Sequence, residues 1–197
     1  MLAAVILSAG ASERMGSPKA LLPYQGRCFL EHLLEVTTHP KISTRRVVLG
    51  PHAEPISAAV ALSPEERVIN TEWRSGQLSS IQTAIRTLPK STDGLLLCLI
   101  DHPLITAALV DQLVQHFYLT RSKLVLPTFR GKRGHPVIFA AELYAELLKA
   151  PPEKGARAVV WNHADDVAEL ATDEQGCVLN LNDAEALRRA TGSSAEC

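Results

Sequence analysis

The chain of 197 residues is 46% hydrophobic, 21% charged and 5% aromatic, and its 20 basic and 21 acidic residues leave a formal charge of −1. That length suits one domain with a real core and is short for two. The balanced charge excludes a globally basic nucleic-acid binder and a polybasic membrane-surface protein. The longest apolar runs, 2–7 and 95–100, fall far short of the ~20 residues that span a bilayer. The first run also lacks the basic flank and cleavage pattern of a signal peptide. Cys28, Cys98, Cys177 and Cys197 form no CxxC pair, and Cys98 lies inside an apolar run as a buried thiol would. A reduced, cytoplasmic enzyme is expected.

In chain order, residues 2–8 are continuously apolar and open into a Gly/Ser-rich loop, the mark of a buried parallel strand. Apolar residues at 29, 30, 33, 34 and 36 predict a helix over 29–38, ended by Pro40. A strand at 45–49, a helix around 55–62 and a short strand at 67–69 follow. Leu78, Ile81, Ile85 and Leu88 share one face of a helix over 77–88, stopped by Pro89, and 94–100 reads as a central strand. Thr106 caps a helix over 107–118, a strand occupies 123–127, a turn 130–134 and a strand 136–139. Helices at 140–148 and 156–163, short strands at 167–170 and 177–179, and a helix at 183–190 complete the chain. Alternating strands and helices predict a three-layer α/β fold with a mainly parallel sheet, and 130–139 adds a small antiparallel hairpin. Nothing marks a linker, so 1–191 forms one domain and 192–197 a frayed tail.

In such folds ligands sit beyond the carboxyl ends of the strands, which directs attention to the segment 9–19. Gly10 and Gly16 allow close backbone approach, and their free amides suit phosphate oxygens. Arg14 and Lys19 add positive charge, so the loop suits a triphosphate. The dinucleotide GxGxxG fingerprint is absent, and Walker A fails because Lys19 follows Pro18 and precedes Ala20. An ordinary strand-to-helix loop with solvated charges is the alternative.

The longer string Leu7-Ser8-Ala9-Gly10-x-Ser12-x-Arg14-Met15-Gly16-x-x-Lys19, then Leu21-Leu22-Pro23 and Gly26, resembles the signature of the MobA-like nucleotidyltransferases. Within that superfamily it is most similar to the molybdenum cofactor cytidylyltransferases. Asn70-x-x-Trp73-x-x-Gly76-Gln77-x-Ser79-Ser80-Ile81, Asp101-His102-Pro103-Leu104 and Gly131-x-Arg133-Gly134-His135-Pro136-Val137 match later segments of the family in its order. The resemblance implies a Rossmann-like nucleotidyltransferase sheet and transfer of CMP from CTP to the phosphate of a molybdopterin-type acceptor. It implies nucleotide contacts at Leu7, Ala9, Gly10, Arg14, Lys19, Asn70, Gly76 and Ser80, acceptor contacts at Arg133 and His135, and Mg²⁺ held by Asp101 and Asn182. Arg14, Lys19 and Asp101 would carry catalysis, and a molybdoenzyme or its chaperone would receive the product.

The residues themselves qualify this. Asp101 follows six apolar residues, and a carboxylate there is costly unless it is paired or binds a cation. Its alternative is a helix cap or a salt bridge. Where the family shows Asp-Ile-Asp-Thr-Pro-Glu-Asp, this chain has Asn180-Leu181-Asn182-Asp183-Ala184-Glu185-Ala186. Asn182, or Asp183 with a shifted register, would coordinate with less charge, or Asn182 would simply cap a helix. Ser79 or Ser80 could cap the helix behind them, and Trp73 reads as packing before stacking. The stretch 112–141 has no acid but holds Arg121, Lys123, Arg130, Lys132 and Arg133, a patch for an anionic acceptor. If 101–102 continue a strand, His102 points away from Asp101. A GTP-dependent guanylyltransferase and a nucleotide-binding regulator without catalysis are the rivals.

Overall fold

A computed structural model describes residues 1–12 and 17–181. Arg14, Gly16, Asn182, Asp183, the expected helix at 183–190 and the expected tail at 192–197 lie outside the described residues. Ten strands and six helices appear within them: β1 (Leu2–Ser8), β2 (Pro23–Tyr24), β3 (Arg27–Cys28), α1 (Phe29–Val36), β4 (Ile42–Leu49), α2 (Ala53–Ala59), β5 (Arg67–Ile69), α3 (Gln77–Thr87), β6 (Gly94–Leu99), α4 (Ala107–Thr120), β7 (Leu124–Phe129), β8 (Lys132–Arg133), β9 (Val137–Ala140), α5 (Tyr144–Lys149), α6 (Arg157–Asn162) and β10 (Val167–Ala171). The main sheet runs β10-β7-β9-β6-β1-β4-β5, with β8 paired to β7.

β1 lies between β4 and β6, parallel to both, and every residue of β1 and β6 is buried. That burial explains their unbroken apolar runs, since helices cover both faces. Along β1, Leu2 and Ile6 join one core with α1, α2 and α4, while Val5 and Leu7 join the other with α3, α5 and α6. The three-layer α/β architecture expected from the sequence is therefore present. Burial lifts the Cys98 thiol to about 12, so it stays protonated within the core. Among the described residues, no helix is long and apolar enough to cross a membrane.

Local signals act where expected. The Thr106 hydroxyl accepts a hydrogen bond from the Leu109 amide at 3.1 Å and starts α4. Glu31 reaches back to the Cys28 amide at 2.8 Å and starts α1.

The small antiparallel hairpin expected in the 130–139 region is present as β7–β8, turned by Arg130 and Gly131, both at positive φ, as a two-residue turn between twisted strands requires. Three features differ from expectation. β9 leaves that hairpin and inserts antiparallel between β6 and β7. The β2–β3 hairpin had no strong apolar signal, although Gln25 and Gly26 at positive φ form its turn. Finally, the expected strand at 177–179 is part of a 3₁₀ turn, Gln175–Val178. Its Cys177 carbonyl accepts from the His135 amide at 2.8 Å, and Gly176 lies too close to the Leu104 carbonyl for any side chain.

Candidate active site

The carboxyl ends of β1 and β6 and the start of α3 enclose a cleft of about 880 Å³. Its floor is the segment from Leu7 to Ser12, with Lys19 at the start of the 3₁₀ turn Lys19–Leu21. The Lys19 amide donates to the Ser12 hydroxyl at 3.1 Å, closing the loop on itself. His52 Nε2 donates to the Ala11 carbonyl at 2.7 Å, so a residue from the start of α2 anchors the same loop. Gly50, after β4, lies flush against Ala9, and a Cβ there would collide with the Ala9 carbonyl.

The wall comes from the segment between β5 and α3. Asn70 is buried, and its Nδ2 donates at 2.9 Å to both Ser79 and Ser80, while its Oδ1 accepts from the Glu72 amide. Ser79 in turn donates to the Glu72 and Gly76 carbonyls. The α3 N-cap is Gly76 at φ 95°, a backbone state that only glycine adopts easily, and neither serine caps α3 with its side chain. Gly76, Gln77 and Ser80 line the cleft with Trp73 and Arg74.

Asp101 lies opposite. β6 ends at Leu99, so Asp101 and His102 occupy a turn and the alternation of a strand does not orient them. The Asp101 carboxylate makes no hydrogen bond or ion pair with a described residue, which removes the salt-bridge alternative among them. The amide of Leu181 donates to the Asp101 carbonyl at 2.7 Å, bringing the chain leading to Asn182 against this turn. No group of three or more His, Cys, Asp or Glu side chains could hold a metal among the described residues. A hard cation at Asp101 therefore fits only as Mg²⁺ and similar ions bind, through one or two carboxylates with phosphate oxygens completing the shell.

Next to Asp101 the His102 and His135 rings pack with centroids 4.9 Å apart. Their Nδ1 atoms are buried without a partner among the described residues. Burial pushes both imidazoles below the ordinary histidine range, His135 to about 4, against the pull of the Asp101 charge.

The structure thus brings Leu7, Ala9, Gly10, Lys19, Gly76, Ser80 and Asp101 to one cleft. Asn70 sits behind its wall, and neither Arg133 nor His135 lines it. Arg133 is exposed and donates to Glu169 at 2.7 Å. The basic stretch does not form one patch. Arg121 and Lys123 lie before β7 and Arg130, Lys132 and Arg133 after it, so six strand residues, roughly 20 Å, separate them. Lys123 also pairs with Asp166 at 2.9 Å. His52 and Arg74 were not singled out from sequence, and Gln77 was named only as part of the matching segment 70–81. Arg74 had a signal in its place inside that segment, whereas His52 had none.

An open, helix-covered sheet with its cleft at the carboxyl ends of the strands defines an α/β nucleotide-handling class. A family model, the MobA-like NTP transferase domain, matches residues 4–167, and the chain belongs to that family of nucleotidyltransferases. It is 34% identical over 146 residues to nicotine blue oxidoreductase of Paenarthrobacter nicotinovorans, covering 71% of each chain. It also matches the bifunctional protein GlmU of Azorhizobium caulinodans, but spans only 26% of that protein. Among solved structures it is similar to Rv0371c of Mycobacterium tuberculosis H37Rv (TM-score 0.82, 27% identity, covering 98% of this chain and 100% of that one). Rv0371c has also been solved in complex with manganese (TM-score 0.78, 26% identity, covering 98% and 99%). Molybdopterin-guanine dinucleotide biosynthesis protein A of Archaeoglobus fulgidus shares the fold (TM-score 0.71, 18% identity, covering 97% of each).

Proposed function

We propose that the protein transfers CMP from CTP to the phosphate of a molybdopterin-type acceptor and releases pyrophosphate. The observation that carries this reading is the meeting of the glycine loop, Lys19 and the Asp101 carboxylate in one cleft. An acceptor phosphate oxygen attacks the α-phosphorus of the nucleotide. The bond from that phosphorus to the bridging oxygen breaks, and pyrophosphate leaves with the electron pair. No protein nucleophile is required. The loop amides, Lys19 and Arg14 align the triphosphate and offset the charge that grows on the leaving group. A bound Mg²⁺ supplies further charge neutralisation at the phosphates. Asp101 would hold it, with Asn182, the residue after Leu181 in the chain, as the second ligand. The manganese complex of Rv0371c supports a divalent ion. Arg133 exchanges Glu169 for the acceptor phosphate, and His135 binds the same acceptor. A molybdoenzyme or its chaperone takes up the product.

Two other readings have an observation behind them. A guanylyl reaction with GTP as donor is the rival within the family, suggested by the name of the A. fulgidus protein. The 34% identity to nicotine blue oxidoreductase favours an oxidoreductase activity. Pyrophosphate release, followed with CTP or GTP, Mg²⁺ or Mn²⁺, and molybdopterin, separates the three. The expected result is acceptor-dependent release from CTP, slowed about 100-fold or more in Asp101→Asn. Release from GTP alone moves the assignment to the guanylyl reaction. No pyrophosphate from either triphosphate, together with oxidation of a separately supplied reduced nicotinamide dinucleotide by a quinone dye that takes up its two electrons, sinks the transferase reading.

A further inference from the structure

Arg74 is exposed, lines the cleft and has its guanidinium 4.4 Å from the centroid of the Trp73 ring. That ring contact is the guanidinium's one recorded interaction among the described residues. Its N–H groups therefore have no partner among the described residues, while the cation–π contact holds the guanidinium over the ring. The turn beneath is tied to its neighbours. Trp73–Ser75 is one 3₁₀ turn held between β5 and α3 by the bonds of Asn70 and Ser79.

The cleft divides chemically. Gly10, Ser12, Lys19 and Asp101, on the β1 and β6 side, suit phosphates and a cation. Trp73 is the one aromatic side chain among the described lining residues, and it belongs to the α3 side. A nucleotide with its phosphates on the first side lays its base on the second, beside Arg74 and Gln77.

We infer that Arg74 is a specificity-determining residue that reads the nucleobase as a two-pronged donor, an assignment that rests on the nucleotidyltransferase reading above. A guanidinium fork satisfies two adjacent acceptors at once. Cytosine offers such a pair in O2 and N3, and guanine in O6 and N7. Adenine sets an amino donor beside N7 and N1, and uracil sets N3–H between its two carbonyls. Arg74 therefore selects cytosine or guanine nucleotides and disfavours adenine and uracil ones. Gln77, carrying both a donor and an acceptor, is the neighbour that can tell cytosine from guanine.

The test is binding of CTP, GTP, ATP and UTP with Mg²⁺ by isothermal calorimetry, for the unaltered protein, Arg74→Gln and Arg74→Lys. The unaltered protein should favour CTP or GTP. Arg74→Gln should lose about ten-fold or more on the favoured triphosphate, with ATP and UTP little changed. Arg74→Lys, which keeps the charge but lacks the fork, should resemble Arg74→Gln. An equal fall for all four triphosphates that lysine restores overturns the assignment, because the charge alone would then be at work. An unchanged base preference in Arg74→Gln also overturns it, while leaving the transferase reading intact. Failure of the unaltered protein to bind any triphosphate overturns both.

Discussion

Asn70 is 2% exposed, and its side-chain amide is spent on Ser79, Ser80 and the Glu72 backbone. It shapes the wall of the cleft from behind. Asn70→Ala leaves buried partners unsatisfied and should cost about 1–3 kcal/mol, read as a lowered urea midpoint with an unchanged slope. If the loop matters for binding, nucleotide affinity falls in the same variant. Asp101 was legible in the sequence because it ends an apolar run with a carboxylate, and Gly10 and Lys19 because they belong to the glycine-bearing, charged loop that follows the first strand. His52 was not, since its role depends on a carbonyl far along the chain, at Ala11. Arg133 was legible as a charge but not as a paired one. Its partner, Glu169, comes from β10, which only the sheet order brings alongside the β7–β8 hairpin.

The parallel pair β1 and β4 sets how tightly the glycine loop is held. Gly50 follows β4 directly, and the Ala9 backbone fills the space where its side chain would be. Gly50→Ala should push the loop off its seat, lowering triphosphate affinity more than ten-fold while the apolar cores remain. A binding titration beside a circular dichroism spectrum checks this, and unchanged affinity would show that the loop does not depend on that contact. Most elements were readable from periodicity, because buried parallel strands and amphipathic helices leave patterns of different period. The errors fall where pairing decides the outcome. Residues 177–179 are apolar enough for a strand, yet their backbone is claimed by His135 and no strand among the described residues partners it. The short β2 and β3 carry no pattern of their own and exist through each other.

For the molecule as a whole, the histidines set the acid side of its stability. Unfolded, His135 titrates near 6.5; folded, burial and the neighbouring His102 hold it near 4. Below 6.5 the unfolded chain gains a proton that the folded chain refuses, so the stability present above 6.5 is lost progressively down to about 4 and then levels off. His102, lowered by burial, acts in the same direction. The His135 shift, part of which comes from the neighbouring His102, corresponds to roughly 3 kcal/mol across that window. Urea unfolding with chelator at pH 7.5 and 4.5 should show it, and His135→Gln should flatten the difference. Asp93, held below its ordinary value by the N-terminal ammonium and the Tyr118 hydroxyl, adds a loss only at more acid pH.

The position of β9 has a consequence for how the chain is made. During synthesis β1, β4, β5 and β6 emerge first and can assemble, but the apolar edge of β6 has no neighbour until β9 arrives. At ~5–20 residues per second the ribosome leaves that edge bare for several seconds. In that interval the nascent protein presents an open, leucine-rich strand border to everything around it. A chaperone that shields strand edges would therefore meet this protein at one definite moment, between the emergence of Leu99 and that of Ala140.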